Sequence, residues 1–399
     1  MGRNKQTNDF AKIGTILAGL MNAPAGSASP GKASSSAAEG NTVTVGARKF
    51  VIEHLSSSDL AAVTRGIERL AGRKVGAKGV PLLIVPFMGE VGARRCAEAG
   101  VSWLDLSGNA QIVTPGLHIH VEGKQNKFKR RGRPSSLFAP MSSRIARWLL
   151  MNETARRTLT QRELARLTGM DAGFTSRILC GLEGAGLISR DAASGTIRVI
   201  DHDLLLDAWH EAYDFRAHTI VRAHMAARSG PELMEALAHG LDDRHIEYAM
   251  TGLGAAWLLS RFATFRIVTV YLRQAPNDET LADLGVQRME KGENLWLVLP
   301  NDEGVFQNAG RGQDVICVDP VQVYLDLKGH PERAKEAAAQ LRYQTRIARE
   351  LRAGDAPTEI ATRYRVHGVT EENVDFIRKM ITNGVSYFPP LKGFGESTS

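Results

Sequence analysis

T-Q-R-E-L-A-R-L-T-G-M-D-A-G-F-T-S-R-I-L, residues Thr160 to Leu179, holds two helix starts and one sharp turn. Thr160 and Glu163 form a capping box, in which the hydroxyl accepts from the N3 amide and the carboxylate reaches back to the cap amide, so a helix begins at Gln161. Leu164, Ala165 and Leu167 make its inner face, and Gly169, lacking a Cβ, stops it in a tight turn. Asp171 then caps another helix, Ala172 to about Glu183, with Phe174, Ile178, Leu179 and Leu182 facing inward. Upstream, Ile145, Trp148, Leu149 and Met151 recur at helical spacing behind Ser142 or Ser143 as cap. Downstream, Gly186 to Arg190 reads as a strand, Asp191 to Gly195 as a turn, and Thr196 to Val199 as the returning strand. Three helices followed by a β-hairpin give the order of a winged helix-turn-helix.

On the outer face of the third helix stand Gly173, Thr175, Ser176 and Arg177, short or hydrogen-bonding groups suited to base edges and phosphates in a major groove. Thr160 and Gln161 at the start of the second helix, and Arg190 and Arg198 near the wing tip, complete the candidate DNA-contacting set. The alternative is a winged helix used for protein contact alone. Just before the first helix the chain reads K-Q-N-K-F-K-R-R-G-R-P, Lys124 to Pro134, with six basic residues and no acid. Those six carry most of the formal net charge of +7. Each Lys or Arg beside a duplex backbone releases condensed counterions, so Lys127, Lys129, Arg130, Arg131 and Arg133 are expected to bind DNA. Arg131-Gly132-Arg133-Pro134 resembles the core of an AT-hook, with Arg130 where that motif usually has Pro, and implies an arm in a narrow minor groove. Such a stretch is otherwise a solvated linker.

The chain's 399 residues allow two or three domains, and 43% hydrophobic residues fit globular cores. No apolar run approaches the roughly 20 residues of a membrane helix. The opening M-G-R-N-K-Q-T-N-D-F is not a signal peptide, so a cytoplasmic protein without membrane partners is expected. Cys96, Cys180 and Cys317 are far apart and support neither disulfides nor zinc; Cys180 is expected to pack. No cofactor or metal is expected.

The organisation predicted is a multidomain α/β chain. Residues 1–40 form a flexible segment, with a helix over Phe10 to Met21; residues 41–123 a small α/β domain; 124–137 the basic linker; 138–202 the winged helix; 203–345 a second α/β domain; and 346–399 a helical tail. In the first α/β domain a strand is expected near Thr42 to Thr44, helices over Ser58 to Leu70 and Glu90 to Ala99, and strands over Pro81 to Phe87, Ser102 to Leu106 and Leu117 to Glu122, with Gly108-Asn109 as a turn. Asp105, Glu122 and Lys124 look like a PD-(D/E)xK nuclease set, in which two carboxylates hold Mg²⁺ and a Lys positions water. The readings left open are an active Mg²⁺-dependent nuclease, a degenerate nuclease-like fold and an unrelated α/β fold. After a helix spanning Trp209 to His224, the second α/β domain places Gly252 and Gly254 before a helix, as a nucleotidyltransferase does. Its next strand, R-I-V-T-V-Y-L, has no acid, so an inactive nucleotidyltransferase-like shape is expected and the glycines read as close packing. Val321 to Lys328 and Pro331 to Leu341 read as two helices with Arg333 and Glu336 paired.

W-L-D-L-S-G-N-A (Trp103 to Ala110), the winged helix ending G-L-I-S-R, and V-Y-L-D-L-K followed by P-E-R-A-K-E-A-A (Val323 to Ala338) together resemble the AbiEi-type antitoxins of type IV toxin-antitoxin systems and related regulators. The resemblance spans about residues 80 to 345. It implies operator binding through Thr175, Ser176, Arg177 and the wing arginines, repression of a toxin-antitoxin, defence or mobile-element operon, a C-terminal domain for neutralisation or assembly, and a cognate toxin as partner. The extension before residue 45 and the basic stretch depart from that family's pattern. A non-enzymatic regulator on double-stranded DNA, working as a homodimer, is the leading expectation; the nuclease and an antitoxin acting mainly through its toxin are the alternatives.

Overall fold

The computed structural model describes residues 13–24, 28–30, 41–73, 79–128, 136–151, 159–260, 264–289, 291–312, 314–365 and 369–382. The chain divides into two compact units, Met1–Pro134 with Leu179–Arg190 and Val199–Glu211, and Ser135–Ile178 with Asp191–Arg198 and Ala212–Ser399. The architecture is mixed α/β, with a helix-turn-helix in the middle of the chain.

In the first unit, β1 (Ala28–Pro30), β2 (Asn41–Val45), β3 (Arg48–His54), β4 (Gly79–Val85), β5 (Ser102–Asp105), β6 (Ala110–Thr114) and β7 (Leu117–Val121) lie side by side in chain order. Residues 13–20 form helix α1; α2 (Leu60–Ala71) and α3 (Glu90–Glu98) return the chain so that β3, β4 and β5 run parallel, while the short turns between β2 and β3, β5 and β6, and β6 and β7 impose antiparallel pairing. β4 is apolar on both faces. Val80, Leu82 and Ile84 pack with Ile13 and Leu17 of α1, and Leu83 and Val85 pack with Val63, Ile67 and Cys96 of α2 and α3. Burial on both sides is why its sequence shows no alternation. One expectation needs correction and one strand is added: residues 28–30, read as part of a flexible segment, pair with β2, and β6 lies over residues to which no element was assigned, between the Gly108-Asn109 turn and the strand expected from Leu117. The rest of that segment lies largely outside the described residues.

The winged helix follows as α4 (Pro140–Met151), β8 (Leu159–Thr160), α5 (Gln161–Thr168), α6 (Ala172–Gly184), β9 (Ile188–Arg190), β10 (Thr196–Val199) and α7 (His202–Ala212), its strands ordered β8-β10-β9. α4 starts earlier than expected because Pro140, needing no amide partner, begins it. Ser142 and Ser143 are consequently buried, and the Ser143 hydroxyl donates to the Pro140 carbonyl at 2.6 Å. The division between units passes through α6: its residues to Ile178 group with the second unit and the remainder with the first. Within the first unit, Asp207 of α7 is buried and accepts from Arg94 and Arg95 of α3 at 3.3 and 3.2 Å.

The second unit contains a sheet from β11 (Thr219–Met225), β12 (Tyr248–Thr251), β13 (Val268–Leu272), β14 (Val286–Arg288), β15 (Leu295–Leu299), β16 (Gly310–Gly312) and β17 (Val315–Cys317), ordered β14-β11-β15-β13-β12-β17-β16. Its helices are α8 (Gly230–Asp243), α9 (Gly252–Ser260), α10 (Asp278–Asp283), α11 (Pro320–Asp326), α12 (Ala334–Ala353), α13 (Pro357–Tyr364) and α14 (Glu371–Thr382). The helix expected over Trp209 to His224 is overturned beyond Ala212. T-I-V-R-A-H-M opens with β-branched residues and forms β11, held between β14 and β15 by pairings distant in sequence. Ile347, Ile360, Tyr364, Val374 and Ile377 join α12, α13 and α14 in one apolar cluster.

Candidate nucleic-acid interface

The reading elements are built largely by local bonds. Thr160 is extended (φ −113°) and its Oγ1 accepts from the Glu163 amide at 3.3 Å. The Glu163 carboxylate accepts from Arg166 at 2.8 and 3.1 Å. Gly169 ends α5 at φ +68°, a left-handed conformation that favours glycine. The Asp171 carboxylate accepts from the Phe174 amide at 2.8 Å, capping α6. Gln161 donates from Nε2 to the Ala172 carbonyl at 3.2 Å, which links the starts of the two helices and commits this amide within the fold.

On α6, Gly173 and Arg177 are exposed and Ser176 is half-buried. Arg177 lies 5.6 Å from the Phe174 ring centroid, spreading its guanidinium over an aromatic face. Thr175 is not on the outer face, as expected, but fully buried, and its hydroxyl donates to the Asp171 carbonyl at 2.9 Å. The buried stripe runs Thr175, Ile178, Leu179, Leu182, a strict i, i+3, i+4, i+7 series, and Phe174 sits at its edge. Cys180, expected to pack, is exposed.

At the wing, Asp191 Oδ1 accepts from the Ser194 amide (2.7 Å), the Ser194 hydroxyl (2.8 Å) and the Ala193 amide (3.1 Å), bonds that hold its carboxyl below the usual range. Arg198 is exposed. Arg190 is drawn instead to Glu183 of α6, with Nε at 2.8 Å, so its charge is already matched within the fold. Lys127 is exposed, its amide donating to Ser107 Oγ at 3.2 Å. Lys129, Arg130, Arg131 and Arg133 lie outside the described residues.

The nuclease-like residues do not converge as a metal site. Asp105 is fully buried and accepts four hydrogen bonds, from Met88 N (3.2 Å), Gly108 N, Asn109 N and Asn109 Nδ2 (each 2.8 Å). Asn109 in turn accepts from Lys124 N at 2.8 Å and donates to Lys124 O at 3.1 Å. W-L-D-L-S-G-N-A is thus a tied turn around a carboxylate, as the Gly108-Asn109 turn suggested. Glu122 points to solvent and pairs with His120 at 2.9 Å. Among the described residues no group of three His, Cys, Asp or Glu could hold a metal ion.

The second unit holds a buried polar cluster that sequence reasoning missed. Asp326, fully buried on α11, accepts from Tyr213, from Tyr271 (3.0 Å), from Thr251 and from Gln322 (2.7 Å). Burial pushes its carboxyl up to about 6 against these bonds. Tyr213 also meets His218 Nε2 at 2.9 Å; burial, aided by the charge of Arg147, pushes His218 down to about 4. Gln322 accepts from Arg147 of α4, and Arg144 of α4 forks onto Asp302. The one sequence signal was an Asp inside the apolar helical run V-Y-L-D-L. Gly252 takes φ +60°, where a Cβ would come 3.2 Å from His330 Nε2 and Thr269 Oγ1. That is the close packing expected of it.

Among the described residues no helix is long and apolar enough to cross a membrane. Residues 143–208 match the Crp-like helix-turn-helix domain family, so the chain carries a domain of the kind found in DNA-binding transcriptional regulators. No curated protein and no solved structure matches the chain.

Proposed function

We propose that this chain is a non-enzymatic, sequence-specific regulator that reads double-stranded DNA with α6 in the major groove. The observation that carries the reading is the outer face of α6, where Gly173, Ser176 and Arg177 stand within the matched domain with no acid between Ala172 and Leu182. Arg198 supplies a phosphate contact from the wing, and the basic stretch, with Arg131 and Arg133 at its core, adds a minor-groove arm. A single winged helix reads too few base pairs for genomic specificity, which supports a homodimer on repeated half-sites. The resemblance to AbiEi-type regulators supports repression of a toxin-antitoxin, defence or mobile-element operon, with a toxin as a further partner. The four hydrogen bonds that occupy Asp105 support the non-enzymatic reading over a Mg²⁺-dependent nuclease.

Genome-wide mapping of DNA bound by the full chain, followed by gel shifts on the recovered sequence, tests this. Enrichment of a defined sequence is expected. No affinity for any duplex at low salt would sink the proposal. Arg131→Ala with Arg133→Ala should weaken binding to all sequences and lower the salt slope by about two; an unchanged slope removes the arm.

A further inference from the structure

We infer that Arg144 is a positioning residue of the DNA-reading site, through which the C-terminal α/β domain holds the helix-turn-helix at a fixed angle. The inference rests on the DNA-binding reading above. From α4, Arg144 sends Nε and Nη2 to the Asp302 carboxylate at 2.8 and 2.7 Å, a two-pronged charged contact. Its third nitrogen, Nη1, donates to the carbonyl of Thr168 at 3.3 Å. Thr168 is the last residue of α5 and precedes Gly169, whose left-handed backbone sets the direction in which the chain leaves for α6. One guanidinium therefore joins the turn of the helix-turn-helix to the domain that carries Asp302.

Both ends of this link are tied by further contacts. Asp302 Oδ1 also accepts from the Gly304 amide at 2.7 Å, capping the short helical turn Glu303–Phe306. At Gly304 the backbone approaches α4 so closely that a Cβ would lie 2.8 Å from Arg144 Cγ and 2.9 Å from Arg147 Nη1. The Arg144 and Asp302 side chains are only 22% and 11% exposed. A second tie runs one helical turn along, from buried Arg147 through Gln322 to Asp326. An arginine in a DNA-binding domain is commonly read as a phosphate contact; Arg144 is largely covered and each of its three nitrogens already has an acceptor, so its effect on DNA is transmitted through Thr168 and the turn.

The test compares Asp302→Asn and Arg144→Gln with wild type on a duplex of the sequence recovered by genome-wide mapping and on a scrambled duplex, over a salt series, at equal folded fraction by circular dichroism. Loss of the charged fork is expected to lower affinity for the recovered sequence by about ten- to hundredfold. The salt slope and affinity for scrambled DNA should stay at wild-type values. Unchanged affinity in either folded variant overturns the inference. So does a salt slope lower by about one in Arg144→Gln, which would make the residue a phosphate contact, or an affinity loss that disappears at equal folded fraction. A wild-type chain that binds neither duplex is a different outcome, which refutes DNA binding itself.

Discussion

Replacing Asp105 with Ala removes a buried carboxylate that accepts from four donors. Three of those bonds are 2.8 Å long, and the donors are two backbone amides of the turn and the Asn109 amide that clamps Lys124. Hydrogen bonds to a charged group are worth about 1.5–3 kcal/mol each, so the three short ones at the lower end suggest a loss of about 4–5 kcal/mol. That approaches the whole stability of a modest domain, about 5–15 kcal/mol. A metal-binding carboxylate behaves in the opposite way, because its removal relieves repulsion in the unliganded site and leaves the fold as stable or more so. Since the chain has more than one unit, peptide-resolved hydrogen exchange is the suitable assay. Asp105→Ala should lose protection over Val85–Met88 and Ser102–Ala110 while peptides from α8 and β13 keep theirs. Protection within about 1 kcal/mol of wild type over those segments would refute the structural role and revive the nuclease reading.

The buried cluster predicts an unusual pH profile. Asp326 is raised from 3.8 to about 6, so the folded chain retains a proton that the unfolded chain has lost and stability falls with rising pH across that window; His218, lowered from 6.5 to about 4, makes stability rise across nearly the same window. Each effect is on the order of 3 kcal/mol and they oppose, so Asp326→Asn should show a urea midpoint that climbs between pH 4 and 6.5 where wild type stays nearly level; parallel curves would refute the pairing. Among the reading arginines, Arg177→Ala and Arg198→Ala should each lower the salt slope of DNA binding by about one, whereas Arg190→Ala, whose partner is Glu183, should leave it unchanged. Equal slopes for all three variants would contradict the assignment.

What was legible in the sequence was whatever rests on neighbours three or four residues apart. The Thr160 and Asp171 caps, the Gly169 stop and the Asp191 turn all form within that span. A helix advances by 100° per residue, however, so a stripe drawn through Phe174 instead of Thr175 misses by a single step, and composition alone does not choose between them. Arg190 shows a related failure: its basic character was evident, but a carboxylate seven residues away claimed it.

Local hydrogen-bonding and spacing determined that this chain contains a helix-turn-helix between α/β regions, because caps, stops and amphipathic periods are energetically decided within one or two turns. The assignment of partners across 113 residues to Tyr213 and Asp326, or 158 to Arg144 and Asp302, came only with tertiary structure. Burying a charge or a hydroxyl is costly until a distant group satisfies it, and which group arrives is set by how the strands and helices stack.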